Sequence, residues 1–485
     1  MKAEFVVVGG GSGGCAVAGR LAEAGRDVVL LEAGPDYGPV DSGRWPAEFL
    51  DARAMPVTSH DWGYTADRWR FERARIIGGC SSHNGAIAAV GQRQEYDDWK
   101  VPGWSGDDVA PVFQRVLQRM RVRAYERTEA GPFHERCLQA AESLGWTIAS
   151  DLCDLDAGDS FGLETVNVVG TTRWNAAFAY LDPVRDRLRI VDEAIVATFD
   201  WGEHGVKVTA LRRGEPVTIE AGTLVLAAGA YGSPALLERS GIGNPAALVD
   251  AGVTCRKNLM GVGANLQDHP MVHADRAVGP QLQEWLDAAA ATGFLPEEQT
   301  LGKFTSDLSA DGRYDLHVFP VCASDQTSAL HGKVHVEVAV LNPASRGSVH
   351  IASGDPEQQP KISHKYLSDR AGRDLQVLRR GVKVAEQLLS HPHLASVLGD
   401  RITDMHYDAA YYETVSHYYH PAGSCAMGDT FLSVVDERAR VRGVPNVRIA
   451  DASIMPFITR ANTNLPTVMI GERVADFLLE DTAGR

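Results

Sequence analysis

The sequence predicts a two-part fold, an α/β half built on a parallel sheet and interrupted by an α+β half built on antiparallel strands. Three observations predict it. A short apolar run, Phe5-Val6-Val7-Val8, leads directly into a glycine-rich turn and a helical pattern. Far along the chain, Val334, Val336, Val338 and Val340 alternate with His335, Glu337 and Ala339, the period of a strand with one buried face. Near the C-terminus, residues 446–451 again form a short apolar strand ending in small residues and an acid, so the chain is expected to return to its first half.

The first element is the most informative. Gly9-Gly10-Gly11-Ser12-Gly13-Gly14 satisfies G-x-G-x-x-G at Gly9, Gly11 and Gly14. The first glycine permits the tight turn, the second lets a pyrophosphate approach the backbone, and the third lets helix and strand pack closely. Ser12 heads a helix carrying Ala16, Val17, Ala18 and Leu21, whose unpaired N–H groups and dipole suit an anion. A second strand over 27–31 ends at Glu32, placed to accept both hydroxyls of a ribose. The alternative, a glycine-rich turn in an unrelated α/β protein, does not call for strand, glycines, helix, strand and acid in register.

Residues 35–75, rich in Gly, Pro, Asp and Trp, read as a long excursion without regular structure. Ser105-Gly106-Asp107-Asp108 caps a helix with Val109, Val112, Phe113, Val116, Leu117 and Met120 at helical spacing. After an acidic turn-rich stretch at 151–159, residues 172–177 open a short helix, and 188–191 and 193–199 read as strands. Residues 223–230 read as a buried strand, with Ser233 capping a following helix and Pro234 at its first position. Beyond 334–340, residues 342–347 turn the chain and 348–351 return it, which predicts an antiparallel pair. Leu375, Leu378, Val382, Ala385 and Leu389 make an amphipathic helix.

Composition bounds the function. A chain of 485 residues exceeds one ordinary core, so two domains are expected. A net charge of −16 without a basic run argues against nucleic acid or an anionic membrane as partner. No apolar stretch approaches the roughly 18 residues of a membrane span. The chain enters its first strand by residue 5, which leaves no room for a signal peptide. The seven cysteines are scattered, without CxxC or metal-ligand spacing. They predict reduced thiols, no metal site and a cytoplasmic location.

Four segments resemble the glucose–methanol–choline (GMC) family of flavin oxidoreductases. They are the N-terminal fingerprint, Gly78-Gly79-Cys80-Ser81-Ser82-His83-Asn84, residues 226–234 followed by 261–270, and residues 420–472. The resemblance implies a Rossmann-like FAD-binding domain with an inserted antiparallel-sheet substrate domain. It divides the chain into residues 1–150, 165–270 and 440–485 for FAD, and 271–439 with 151–164 for substrate. It implies FAD as cofactor, with Asp451 near the pyrophosphate or ribityl chain, and Gly79, Asn84, Val196, Ala228, Gly229 and Ala452 among its contacts. The Gly78 to Asn84 segment looks most like the choline oxidase branch, in which the histidine at the position of His83 carries the flavin through a covalent bond. The other reading of His83 is a histidine that only hydrogen-bonds beside a noncovalent flavin. Cys80 reads as a small buried thiol.

His417-Tyr418-Tyr419-His420-Pro421-Ala422-Gly423-Ser424 resembles the segment bearing the family's active-site histidine, at His420. Arg460-Ala461-Asn462-Thr463-Asn464 resembles the segment supplying its partner, at Asn462; His417 reads as packing. The chemistry is coherent. Hydride transfer from an alcohol needs a group to take the O–H proton, and a neutral histidine suits it. An amide can hydrogen-bond the developing alkoxide without titrating.

Residues 271–345 are shorter than in most of the family. The choline pattern there needs a carboxylate, where a rough alignment puts Thr300 behind Glu297 and Glu298, and a serine where this chain has Gly85. Both departures argue against choline, since a cation cage needs an acid and aromatic faces together. Trp285, Phe294, Phe304, His317 and Phe319 are pocket candidates, each otherwise a core residue. The expected function is FAD-dependent oxidation of a small primary or sugar-like secondary alcohol. Its partners are that substrate and dioxygen or another electron acceptor, and a homodimer is expected. Two alternatives stand beside it, an FAD-containing hydroxynitrile lyase and a flavin-binding protein without turnover. The lyase is opposed by a histidyl-linked flavin, the other by the presence of both His420 and Asn462.

Overall fold

Apolar β-branched runs sort most of the strands into two seven-stranded sheets, each covered by helices. The computed structural model describes residues 1–53, 58–293, 295–323, 328, 331–405 and 407–483. In the first sheet Lys2–Val8 lies at the centre, paired in parallel with Val28–Leu31 and with the far end of Glu215–Leu226. Arg189–Val191 extends one edge, and Val447–Ile449 adds to Glu215–Leu226 in parallel, so the C-terminal segment does return to the first sheet. Ala194–Gly202 and Gly205–Arg212 complete it as an antiparallel ribbon on the near end of Glu215–Leu226. Phe5 to Val8 and Val28 to Leu31 are buried throughout, as a sheet covered on both faces requires. The helices Ser12–Glu23 and Asn464–Ala483 meet closely enough that a Cβ on Gly471 would lie 2.4 Å from the Gly13 carbonyl oxygen.

The second sheet runs Leu398–Arg401, Met271–Val278, Lys333–Val340, Leu316–Cys322, Thr300–Phe304, Ser160–Leu163, Ile148–Ala149, antiparallel except at the last pair. The alternating valines 334, 336, 338 and 340 are its core and pack under the Arg373–Leu389 helix. The helix Pro132–Ser143 and the strand Ile148–Ala149 pack with this second sheet, on the first-domain side of the boundary drawn at 150.

Four expectations need correction. Residues 35–75 contain the short helix Ala47–Leu50 and a hairpin, Tyr64–Ala66 with Trp69–Phe71. Ser348–His350 pairs with Lys361–Ser363 rather than with the valine strand, because the turn at 342–347 carries the chain off that sheet. The buried strand stops at Leu226, short of Ala230. The helix after it spans Gly229–Arg239, so Ser233 and Pro234 lie inside it and Ser233 does not cap its start. A proline there leaves the Ala230 carbonyl without its helical N–H partner. The Ser424 hydroxyl donates to that carbonyl at 2.6 Å, and the helix tolerates the proline for this reason. The capped helix Gly106–Arg119 is as expected, with Ser105 Oγ accepting the Asp108 N–H. Among the described residues, no helix is long and apolar enough to cross a membrane.

Candidate active site

The C-terminal ends of the parallel strands open into an elongated cavity of about 570 Å³ that reaches the second sheet. That size is within the ~300–1,000 Å³ of small-molecule sites. Gly9, Gly11, Ser12, Glu32, Gly79, His83, Asn84, Val196, Ala228, Gly229, Asp451, Ala452, His420 and Asn462 all line it. Of the residues singled out in the sequence, Gly14 is set behind the wall.

The fingerprint glycines divide the work. Gly9 has φ +99°, and a Cβ there would lie 2.4 Å from the Ala227 carbonyl oxygen. A Cβ on Gly14 would sit 1.8 Å from the Gly9 carbonyl oxygen, so the helix rests directly on the strand's end. Gly13, to which the fingerprint gives no role, is as tight, with its Cβ position 2.0 Å from the Ala450 carbonyl oxygen. Around Gly11 the nearest atom is 3.8 Å away, across open space on the cavity side. The Ser12–Glu23 helix has no side-chain cap and no acid in its first turn, so its N–H groups are available to an anion. An elongated cleft, a cradle that a Cβ at Gly11 would fill and a bare helix N-terminus together fit the dinucleotide of FAD.

Glu32 is 6% exposed. Its oxygens accept the Gly10 N–H at 2.7 Å and the Gly34 N–H at 2.8 Å, which fixes the carboxyl at the turn. Burial pushes it up to about 7 against the pull of those N–H groups. Asp451 is committed to protein partners, accepting from Gly229 N–H at 2.9 Å, Ser453 N–H at 2.9 Å and Ser233 Oγ–H at 2.5 Å. It ties the Gly229–Arg239 helix to the C-terminal segment.

The Gly78 to Asn84 segment turns on two left-handed glycines, Gly78 at φ +86° and Gly79 at φ +53°, into the short 3₁₀ turn Gly79–Ser82. Ser81 donates to the Gly78 carbonyl and Ser82 to that of Ile77, so the turn is internally held while Cys80 and His83 face the cavity. Cys80 is more than the buried thiol the sequence suggested. Burial raises its pKa, but the Arg73 charge and a hydrogen bond with His83 outweigh that and hold it near 6.

His420 and Asn462 arrive from separate loops at one end of the cavity, and Asn462 Oδ1 has no protein partner. Burial, with further depression from His269, His317, Arg73 and His417, holds His420 well below the usual histidine range, so it is neutral. Its Nδ1 lies 3.0 Å from His269 Nδ1. Asp268 accepts the backbone N–H of both His420 (2.9 Å) and His269 (2.8 Å), while Tyr366 OH donates to its other oxygen. Sequence reasoning gave neither Asp268 nor His269 a role; their signal was the run Gln267-Asp268-His269-Pro270 inside a segment already noted. His417 packs against Phe71 and Tyr419, as expected.

Beyond His420 the wall changes character. Glu297, Glu298 and Glu337 line the cavity with Phe319, Val321, Tyr418 and Tyr419. Burial, Glu164 and Glu337 push Glu298 well above the carboxylate range, and burial brings Glu337 to about 7. Of the pocket candidates, Phe319 lines the cavity, while Phe304 packs on Trp146 and Trp285 under Arg136 in the second core. His317 is fully buried 3.5 Å from Tyr418 OH, and Phe294 lies outside the described residues. Thr300 turns away to His134, at 2.9 Å.

A dinucleotide cradle that runs into a neutral histidine and an amide defines an oxidoreductase that places a redox cofactor against an alcohol. Residues 3–271 and 343–471 match the N- and C-terminal patterns of the GMC oxidoreductases, and the chain belongs to that family. It is an FAD-dependent oxidoreductase acting on CH–OH groups. An oxygen-dependent choline dehydrogenase of Rhizobium johnstonii is 31% identical over 99% of this chain and 96% of its own length. Its counterpart in Vibrio vulnificus is 30% identical over 98% and 94%. Pyridoxine 4-oxidase from Mesorbium loti superposes with a TM-score of 0.86 at 25% identity, over 100% of this chain and 99% of that one. A fungal aryl-alcohol oxidase shares the fold at a TM-score of 0.78, 20% identity and 99% coverage of both chains.

Proposed function

We propose that this protein oxidises a small alcohol bearing a cationic amine or ammonium group, with His420 taking the hydroxyl proton. The observation that carries this reading is the pairing, in one cavity, of a neutral buried histidine with half-buried carboxyls and aromatic faces. The names of the choline-acting relatives agree with it. The acid and aromatic surfaces that a cation needs come from Glu298, two residues before Thr300, and from Glu337, with Phe319 and Tyr418. Carboxyls crowded together in burial raise one another's pKa, and a bound cation supplies the missing counter-charge.

FAD held along this cradle would supply the acceptor for the substrate's hydride. The chain does the rest. His420 accepts the O–H proton as negative charge grows on oxygen, and the side-chain amide N–H of Asn462, in the same cavity, donates a hydrogen bond to that oxygen. The Ser12–Glu23 helix N-terminus, Gly11 and Glu32 hold the adenosine and pyrophosphate. His83, in the cavity beside Cys80, is the proposed point of covalent attachment. The domain division is proposed as the sequence drew it except at its first boundary, since Pro132–Ser143 and Ile148–Ala149 pack with the second sheet, and the cytoplasmic location rests on seven unpaired cysteines. Dioxygen is the proposed acceptor.

An anaerobic panel of choline, amino alcohols, polyols and benzylic alcohols tests this. Bleaching of the flavin by the cationic alcohols and fast recolouring in air are expected. Bleaching by neutral alcohols alone would end the cationic reading. Yellow colour left entirely in the supernatant after acid precipitation would end the covalent one.

A further inference from the structure

We infer that His269 is a positioning residue that fixes His420 in the tautomer whose bare Nε2 faces the cavity; the inference rests on the proposed base role of His420. The argument is a count of protons along one line of contacts. The Thr459 carbonyl oxygen lies 3.1 Å from His269 Nε2 and can only accept, so Nε2 carries the hydrogen. Burial, against the pull of the Thr459 and Leu341 carbonyls, holds His269 down to about 3, so the ring has one hydrogen and its Nδ1 is bare. That bare nitrogen is 3.0 Å from His420 Nδ1, which must therefore be the donor. His420 is itself neutral, so its single hydrogen is spent on His269 and Nε2 is left with a free lone pair.

The geometry enforces the arrangement. Both rings are buried, at 0% exposure for His269 and 8% for His420, and they meet edge to face with centroids 5.1 Å apart. Asp268 grips the backbone N–H of both residues through one oxygen, so the two rings cannot drift apart independently. Tyr418 packs against both rings, with centroids 4.7 Å from His420 and 6.1 Å from His269. Without the acceptor on His269, the buried Nδ1–H of His420 would be unsatisfied, which favours the opposite tautomer. A hydrogen on Nε2 cannot accept the alcohol proton. His269 thus acts through His420, from the side away from substrate.

The test reads the tautomer directly. Two-bond ¹⁵N–¹H correlation spectra of histidine-labelled holoenzyme, with His420→Gln to assign the His420 signals, should show a bare Nε2 and a protonated Nδ1 on His420. In His269→Leu the His420 pattern should change, and flavin reduction should slow roughly 10–100-fold, the range seen when a histidine's orienting partner is removed, with substrate Kd unchanged. His269→Asn, which keeps an acceptor oxygen near the Nδ1 position, should recover most of that rate. A protonated Nε2 on His420 in the wild type overturns the inference, as does a His269→Leu variant with unchanged spectrum and rate. Near-normal flavin reduction in His420→Gln would instead overturn the base role, leaving the wild-type spectrum to report the tautomer.

Discussion

Alanine at Gly11 and at Gly14 adds the same methyl group three residues apart, and the structure assigns the two opposite consequences. At Gly14 the new Cβ would stand 1.8 Å from the Gly9 carbonyl oxygen. Carbon and oxygen need more than 3 Å, so the helix must move off the strand by over 1 Å, whether or not FAD is bound. Overpacking of this kind costs about 1–3 kcal/mol, and here the yielding atom is backbone. At Gly11 the nearest atom is 3.8 Å away and φ is −84°, which alanine adopts freely. The flavin-free protein should therefore keep its stability or gain about 0.4–1 kcal/mol through loss of unfolded-state freedom. In the proposed cradle only the pyrophosphate of FAD would meet that methyl. A penalty of about 1–3 kcal/mol there is roughly 5–150-fold in FAD affinity. The assay is thermal melting of flavin-free protein beside an FAD titration, in a His83→Asn background so that the flavin exchanges. Gly11→Ala should bind FAD weakly yet melt normally without it, and Gly14→Ala should melt early in both states. Equal FAD affinity for Gly11→Ala and wild type would refute the assignment of the cradle.

Three further outcomes are expected. His420→Gln should slow flavin reduction by about 10²–10⁴-fold in anaerobic stopped flow, with substrate still bound. Binding of an ammonium alcohol should weaken as pH falls through about 7, because Glu337 takes up a proton there and its neutral form no longer attracts a cation. The slope approaches about tenfold per pH unit for one proton, with Glu297, Glu298, Glu164, Asp275, His335 and Arg173 as the neighbouring charges. Glu337→Gln should flatten that profile in a spectral titration. Ser424→Ala should cost about 1–3 kcal/mol, read as a lower thermal midpoint, since the Ala230 carbonyl loses the donor that stands in for Pro234.

The sequence was most legible where structure is local. Strand, glycines, helix and Glu32 follow one another without interruption, and the turn at Gly9 and the contact at Gly14 are consequences of backbone geometry that only glycine permits. His420 and Asn462 could be placed in one site because each sits in a recognisable short segment. What stayed hidden depends on partners remote in the chain. The hydroxyl that rescues Pro234 is 194 residues from the carbonyl it serves, and His269 is 151 residues from His420. The partner of Ser348–His350 could not be read from the turn before it, because turn residues set a change of direction without naming the next neighbour. Glu337 was read correctly as the polar side of an alternating strand, yet that side faces the cavity and not solvent.

That last reversal bears on how the cavity manages charge. A polar face turned toward the other domain brings Glu337 and Glu298 into the half-buried cavity wall, where desolvation and repulsion raise the pKa of both. A few residues away, burial and the Arg73 charge strip protons from His364, His417 and His420. Both effects move the empty cavity toward neutrality, which limits the desolvation cost of keeping so many titratable groups out of water. They also separate the tasks. Under the proposed function His420 is ready to accept a proton before substrate arrives, whereas the carboxyls would lose theirs when a cation enters. A neutral alcohol would find the base prepared but no counter-charge to hold it beside Phe319 and Tyr418. The selectivity proposed here therefore resides in the carboxyls of the second sheet, and the reaction in the loops that carry His420 and Asn462.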